Sequence, residues 1–154
     1  MSRSIMCIDT SEILDGKVEE VEVAIASMAS FVEANEPDVI MYDVFLDASR
    51  TLMTVVQIHP DPASMEAHLD AAQPVFAPFV GLVRLATIDL YGEPSARLLE
   101  QLRQKAAMLG NARIIVHPVR GRHRAVRLIS ERATGSPHST SAIPKATSHS
   151  DQAM

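Results

Sequence analysis

The order of hydrophobic periodicities along this chain predicts an α+β fold: a ferredoxin-like βαββαβ unit with an antiparallel sheet and an appended helix and strand. Three observations carry that expectation. Apolar spacing switches between three-or-four and two along the chain, two β-rich runs in its first half are joined by a short polar link, and apolar residues make up 47% of the sequence against 21% charged. At 154 residues there is room for one core and a tail. The single cysteine, Cys7, cannot form an intramolecular disulfide, so packing must hold the domain together.

Residues 4–9 read as the first strand. Asp15-Gly16 then opens a helix whose apolar stripe is Val18, Val21, Ile25, Met28 and Val32. It should end near Asn35, because Pro37 cannot continue it. Residues 39–46 and 52–59 are β-rich, and Asp47-Ala48-Ser49-Arg50 suits the hairpin between them. Asp61-Pro62 is a helix start: the carboxylate accepts unpaired amide hydrogens and proline fits the first turn. On that second helix Met65, His68, Leu69 and Ala72 share a face; Pro74 and Pro78 are expected to kink it before it resumes through Val80, Leu82 and Val83. A strand over residues 85–91 and a turn at Tyr91-Gly92-Glu93-Pro94 follow. Leu98, Leu99, Leu102, Ala106 and Leu109 mark a third helix, stopped by Gly110. A fifth strand is expected over residues 112–119. From about Ala133 the composition turns to Ser, Thr, Ala, Pro and His, so the division expected is a domain over 1–132 and a disordered tail over 133–154, with His138 and His149 solvated in it.

The net charge of −5 hides an asymmetry: residues 1–102 hold 5 Lys and Arg against 17 Asp and Glu, and residues 103–154 hold 9 against 2. The basic segment, residues 120–132, has no interleaved aromatic on which bases could stack, which argues against nucleic acid. No apolar run approaches a membrane span and the first nine residues lack a signal core, so a cytoplasmic protein is expected. In the second strand Ile40, Tyr42, Val44 and Leu46 point one way, and Met41 and Phe45 the other. With both faces apolar and helices enough for one, the other face is expected to meet a second copy in a homodimer.

His68, Tyr42 and His59 are the candidate catalytic residues, polar groups set among apolar ones on neighbouring elements. Histidine titrates near working pH and tyrosine offers an orienting hydroxyl. Each also has a structural reading, as a core side chain hydrogen-bonded to a neighbour. His117, on the appended strand, is not expected to be catalytic. No metal site is expected, since His59 and His68 lie nine residues apart with no third histidine or cysteine nearby.

Several motifs fall in a familiar order: Gly16-Lys17 opening the first helix, Asn35-Glu36-Pro37 closing it, Tyr42 on the second strand, Val55-Val56-Gln57-Ile58-His59-Pro60-Asp61, His68, and Tyr91-Gly92-Glu93-Pro94-Ser95. Together they resemble the antibiotic-biosynthesis-monooxygenase-like family of dimeric α/β barrels, over roughly residues 4–119. The resemblance implies a cofactor-independent monooxygenase that takes a small aromatic or quinol-like molecule and dioxygen, with no cofactor. His68 would serve in proton transfer, Tyr42 would orient the substrate oxygen, and His59 would assist. Met41, Phe45, Val56, Met65, Leu69 and Phe76 would form a dry pocket wall. The family's heme-degrading members use a tryptophan that this chain lacks. Its fifth strand often ends in a small-Gly-Phe-x-Arg segment, where this chain has Arg120-Gly121-Arg122-His123-Arg124. The competing readings are a non-catalytic ligand-binding or dimerisation module, and an isomerase or cyclase using the same pocket.

Overall fold

The computed structural model describes residues 3–121; the tail, with His138 and His149, and nearly all of the basic segment lie outside the described residues. The elements in order are β1 (Ile5–Ile13), α1 (Val18–Asn35), β2 (Met41–Leu46), β3 (Leu52–His59), α2 (Pro62–Phe76), a 3₁₀ turn (Ala77–Phe79), β4 (Val83–Tyr91), α3 (Ala96–Leu109) and β5 (Arg113–His117). The sheet order is β2-β3-β1-β4-β5. Its first four strands are antiparallel, the ferredoxin-like arrangement expected.

Local chemistry explains the boundaries that match. The Asp47 carboxylate accepts the amide hydrogens of Thr51 (2.8 Å) and Leu52 (2.7 Å), closing the β2-β3 hairpin. Asp61 accepts the Ser64 amide at 2.8 Å and starts α2. The Ser95 hydroxyl does the same for Leu98 at 3.0 Å and starts α3.

Four expectations are corrected. β1 runs on to Ile13, because the polar stretch from Thr10 is paired by β3 on one side and β4 on the other. β2 begins at Met41 rather than residue 39. The helix does not resume after Pro78: Val80 is extended and Gly81 takes a φ of +82°, so Val83 opens β4. The sheet is mixed rather than wholly antiparallel, because the α3 crossover brings β5 in parallel beside β4, over Arg113–His117 only. The sheet of a single chain is not closed into a barrel.

The helices cover one face. Ile5, Cys7, Asp9 and Ser11 of β1, Met53, Val55, Gln57 and His59 of β3, and Leu85, Ile88 and Leu90 of β4 are buried there. They meet Val21, Ala24, Met28 and Val32 of α1, Met65, His68, Leu69 and Ala72 of α2, and Leu98, Leu102 and Ala106 of α3. On the helix-free face Met6, Ile8, Met41, Phe45, Val56 and Ile58 are only partly covered, and Phe45 is 50% exposed. Among the described residues no helix is long and apolar enough to cross a membrane.

Gly110 allows α3 to end hard against the sheet. Its φ is +137°, and a Cβ there would lie 2.9 Å from Arg84 Cγ and 3.3 Å from the Leu85 backbone. Gly110→Ala is therefore expected to destabilise the chain by about 2 kcal/mol in urea unfolding. An unchanged midpoint would contradict this account of the α3 terminus.

Candidate active site

His68 occupies the centre of a polar cluster inside the protein. Its position on α2 turns it toward the sheet, where Tyr42 of β2 and His59 of β3 face the helices. The His68 ring lies 5.6 Å from the Tyr42 ring, 5.3 Å from His59 and 5.9 Å, edge to face, from Phe76, centroid to centroid. All three polar residues picked out in the sequence thus come together. Glu36, just beyond the end of α1, accepts a hydrogen bond from His68 Nδ1 at 2.7 Å. That bond makes Nδ1 the donor nitrogen toward the carboxylate and leaves Nε2 on the far side of the ring. Nε2 is buried and finds no hydrogen-bond partner among the described residues. His59 differs, because both its nitrogens are occupied, Nδ1 by the Ser64 hydroxyl (3.2 Å) and Nε2 by Gln57 Oε1 (3.0 Å).

Beside this cluster a narrow cavity of about 30 Å³ runs between the sheet and the helices. Its wall is mostly apolar, with Met28, Val44, Val55, Phe76 and Leu85 among the lining residues. The polar groups on it are few: Asp9, Ser11, Tyr42 and Lys105. Lys105 Nζ donates to Asp9 Oδ2 at 2.5 Å, and the Cys7 thiol donates to Asp9 Oδ1 at 3.3 Å. Burial pulls the Lys105 ammonium toward neutrality, but the Asp9 carboxylate outweighs it and holds the group above the ordinary lysine value. Burial, then the charge of Asp9, pushes the Cys7 thiol up, so it is protonated. Burial, followed by Asp9 and Glu36, also pushes the Tyr42 hydroxyl up, so it acts as a donor and not as a phenolate. Among the described residues no three histidines, cysteines or carboxylates converge as a metal site.

The expected pocket wall needs correction. Met41, Phe45 and Val56 lie on the helix-free face, since strand alternation turns them away from Tyr42, Val44 and Val55. Met65 is wholly buried in the core, and Leu69 lines a separate outer groove between α2 and α3. Of the six, Phe76 alone lines the cavity. His59 and His68 do not line it; Tyr42 and Phe76 stand on its wall and contact His68.

Three residues of the site were missed in the sequence: Asp9, Lys105 and Glu36. Two had a signal. Asp9 shares its strand parity with Ile5 and Cys7, and Lys105 falls between Leu102 and Leu109 on the buried stripe of α3. A charge on an apolar face at each of two elements invites pairing.

No protein-family profile matches the chain, and no curated protein matches it. Solved structures do. MupZ from Pseudomonas fluorescens superposes with a TM-score of 0.62 at 15% identity, over 81% of this chain and 91% of that one. SnoaB, a cofactor-independent oxygenase from Streptomyces nogalater, gives 0.52 at 13% identity, over 62% of this chain and 97% of that one. A provisionally assigned antibiotic biosynthesis monooxygenase from Caulobacter crescentus CB15 gives 0.52 at 19% identity, over 58% and 88%. At such identities the likeness speaks to fold: this chain has the antibiotic-biosynthesis-monooxygenase-like fold.

His59 is expected to make stability depend on pH. Burial, then the neighbouring imidazole of His68, lowers its pKa from 6.5 to about 4. The unfolded chain therefore takes up a proton near 6.5 that the folded chain refuses until about 4. Stability is full above that window and falls as pH drops through it, by on the order of 3 kcal/mol from this group. His59→Gln should flatten the decline in urea titrations at stepped pH. The same slope in both proteins would acquit His59.

Proposed function

We propose that this protein is a cofactor-independent monooxygenase of a small aromatic or quinol-like substrate bound in the cavity between sheet and helices. The observation that carries the reading is Tyr42, which lines the cavity and whose ring packs against that of His68, the histidine held by Glu36 with its other nitrogen unpartnered. The fold is shared with SnoaB, itself described as a cofactor-independent oxygenase. In this chemistry a bound phenol or enol loses a proton, and its electron-rich anion passes an electron to dioxygen. One oxygen atom ends on a substrate carbon and the other leaves as water, with all four electrons drawn from the substrate: from a CH₂ group that becomes a carbonyl in an anthrone, or from a ring C–H and the two hydroxyls of a quinol that becomes a hydroxyquinone. The chain supplies proton control and exclusion of water. The Tyr42 hydroxyl orients the substrate oxygen, His68 relays the proton from behind the Tyr42 and Phe76 wall, and His59 braces the ring of His68.

The working unit in this reading is a homodimer. Met6, Ile8, Met41, Phe45, Val56 and Ile58 make an apolar surface on the helix-free face that a two-fold partner would cover. A reducing, cytoplasmic setting accords with the buried free thiol of Cys7.

Oxygen uptake by metal-free protein with hydroquinones and anthrones tests the chemistry. His68→Ala and Tyr42→Phe are each expected to lower kcat by about 10²-fold. Equal rates in His68→Ala would remove the histidine from the mechanism. No uptake with any substrate would sink the oxygenase reading in favour of ligand binding or oxygen-free isomerisation. For the dimer, sedimentation of Phe45→Glu/Val56→Asp should give a monomer where the parent gives a dimer; a monomeric parent at micromolar concentration would refute it.

A further inference from the structure

We propose that Lys105, clamped by Asp9, is the oxyanion-binding group of the cavity, holding the acidic oxygen of a phenol or enol as its anion. This rests on the reading that the cavity is the substrate site, but not on any step with oxygen.

The position of the pair is the first argument. Lys105 is 9% exposed and Asp9 3%, and both line the cavity. A buried ion pair is a poor device for stability alone, since apolar side chains of equal volume usually do as well or better. The occupancy of the pair is the second. Both carboxylate oxygens of Asp9 are engaged, Oδ2 by Lys105 and Oδ1 by the Cys7 thiol, so Asp9 serves as a counter-ion and not as a base. Lys105 commits one of its three N–H donors to Asp9, and its ammonium lies 4.7 Å over the centre of the Phe76 ring. Donors thus remain at the cavity wall. Because the group stays an ammonium, it donates hydrogen bonds and does not act as an amine nucleophile.

The pairing also selects the ligand. A carboxylate or phosphate would bring a full localised charge to a cation already compensated by Asp9. A phenol or enol enters neutral, gives up its proton and spreads the resulting charge over its conjugated system, a smaller demand on one shared ammonium. The apolar remainder of the wall suits the ring. Lys105 and Phe76 also line the outer groove between α2 and α3, beside Leu69, Gln73 and Gln101, so the ammonium stands where interior and groove meet.

The test uses 4-nitrophenol, whose anion is yellow, titrated with the purified protein across pH. In the parent protein the bound probe is expected to ionise about one pH unit or more below the free probe. In Lys105→Gln, which removes the charge, an apolar cavity should instead push its ionisation above the free value, and nitrophenolate affinity should fall about tenfold or more. Asp9→Asn should keep the downward shift, because the ammonium loses its competing counter-ion. A merely structural pair would move both variants the same way. Circular dichroism reports folding, and if a variant does not fold, the parent titration still decides. No binding, a parent that holds the probe as neutral phenol, or an unchanged shift in Lys105→Gln would each overturn the assignment. Phenolate binding without oxygen uptake would defeat the oxygenase reading alone; uptake with the probe bound neutral would defeat this assignment alone.

Discussion

A carboxylate in the middle of the central strand is the constraint around which this molecule is organised. β1 pairs on both edges, and its helix-facing residues are Ile5, Cys7, Asp9 and Ser11. Left alone under a layer of helices, Asp9 would carry a charge out of water at a cost of several kcal/mol. Lys105 supplies the partner, and doing so ties α3 to one position on the sheet. Leu98, Leu102, Ala106 and Leu109 then pack on the same stripe. Gly110 lets the helix end descend onto Arg84 and Leu85, and the following residues fall into a parallel register with β4. Removing one member of the pair would leave the other unpaired, a loss of about 3–5 kcal/mol. The appended helix and strand are thus part of the core and the site together.

Much of this was legible in the chain, and the reasons differ by element. α2 and α3 each combine a side-chain cap with an apolar stripe, so two independent signals agree at Asp61-Pro62 and at Ser95 through Gly110. Strand parity allowed Tyr42, His59 and His68 to meet without deciding it, since a one-residue slip would turn Tyr42 or His59 to the other face; the observed β2-β3 register decides it. What misled was the use of apolar character without parity. Met41 and Phe45 alternate with Tyr42 and cannot share its cavity, however well their side chains would suit a dry wall. Val80, Leu82 and Val83 are an apolar cluster that periodicity alone cannot assign, and Gly81 decided it. The end of β1 was hidden because Thr10, Ser11 and Glu12 are polar; neighbours on both sides hold that segment, and apolar content does not. Glu36 reads as a helix terminus, and no local pattern ties it to His68 thirty-two residues away.

Two charged devices flank the cavity and they are of different kinds. Asp9 and Lys105 stand on its wall as a closed pair with a surplus of donors. Glu36 and His68 lie behind the wall, with Glu36 Oε1 and His68 Nε2 buried and without a hydrogen-bond partner among the described residues. Tyr42 stands between the two, on the cavity and against the His68 ring. Its hydroxyl is kept neutral by burial and by the negative charges of Asp9 and Glu36 on either side. A neutral phenol hydroxyl can accept a proton and donate one in the same exchange, which neither an ammonium nor a phenolate can do. In the proposed chemistry this arrangement would separate two tasks: charge would be stabilised at Lys105, and the proton would pass on the Tyr42 side toward His68, set back from the cavity. If His68 lined the cavity directly, its protonated ring would compete with Lys105 for the same anion. Set back behind Tyr42 and Phe76, that acceptor would charge up in the proposed chemistry while the substrate anion stayed with the lysine.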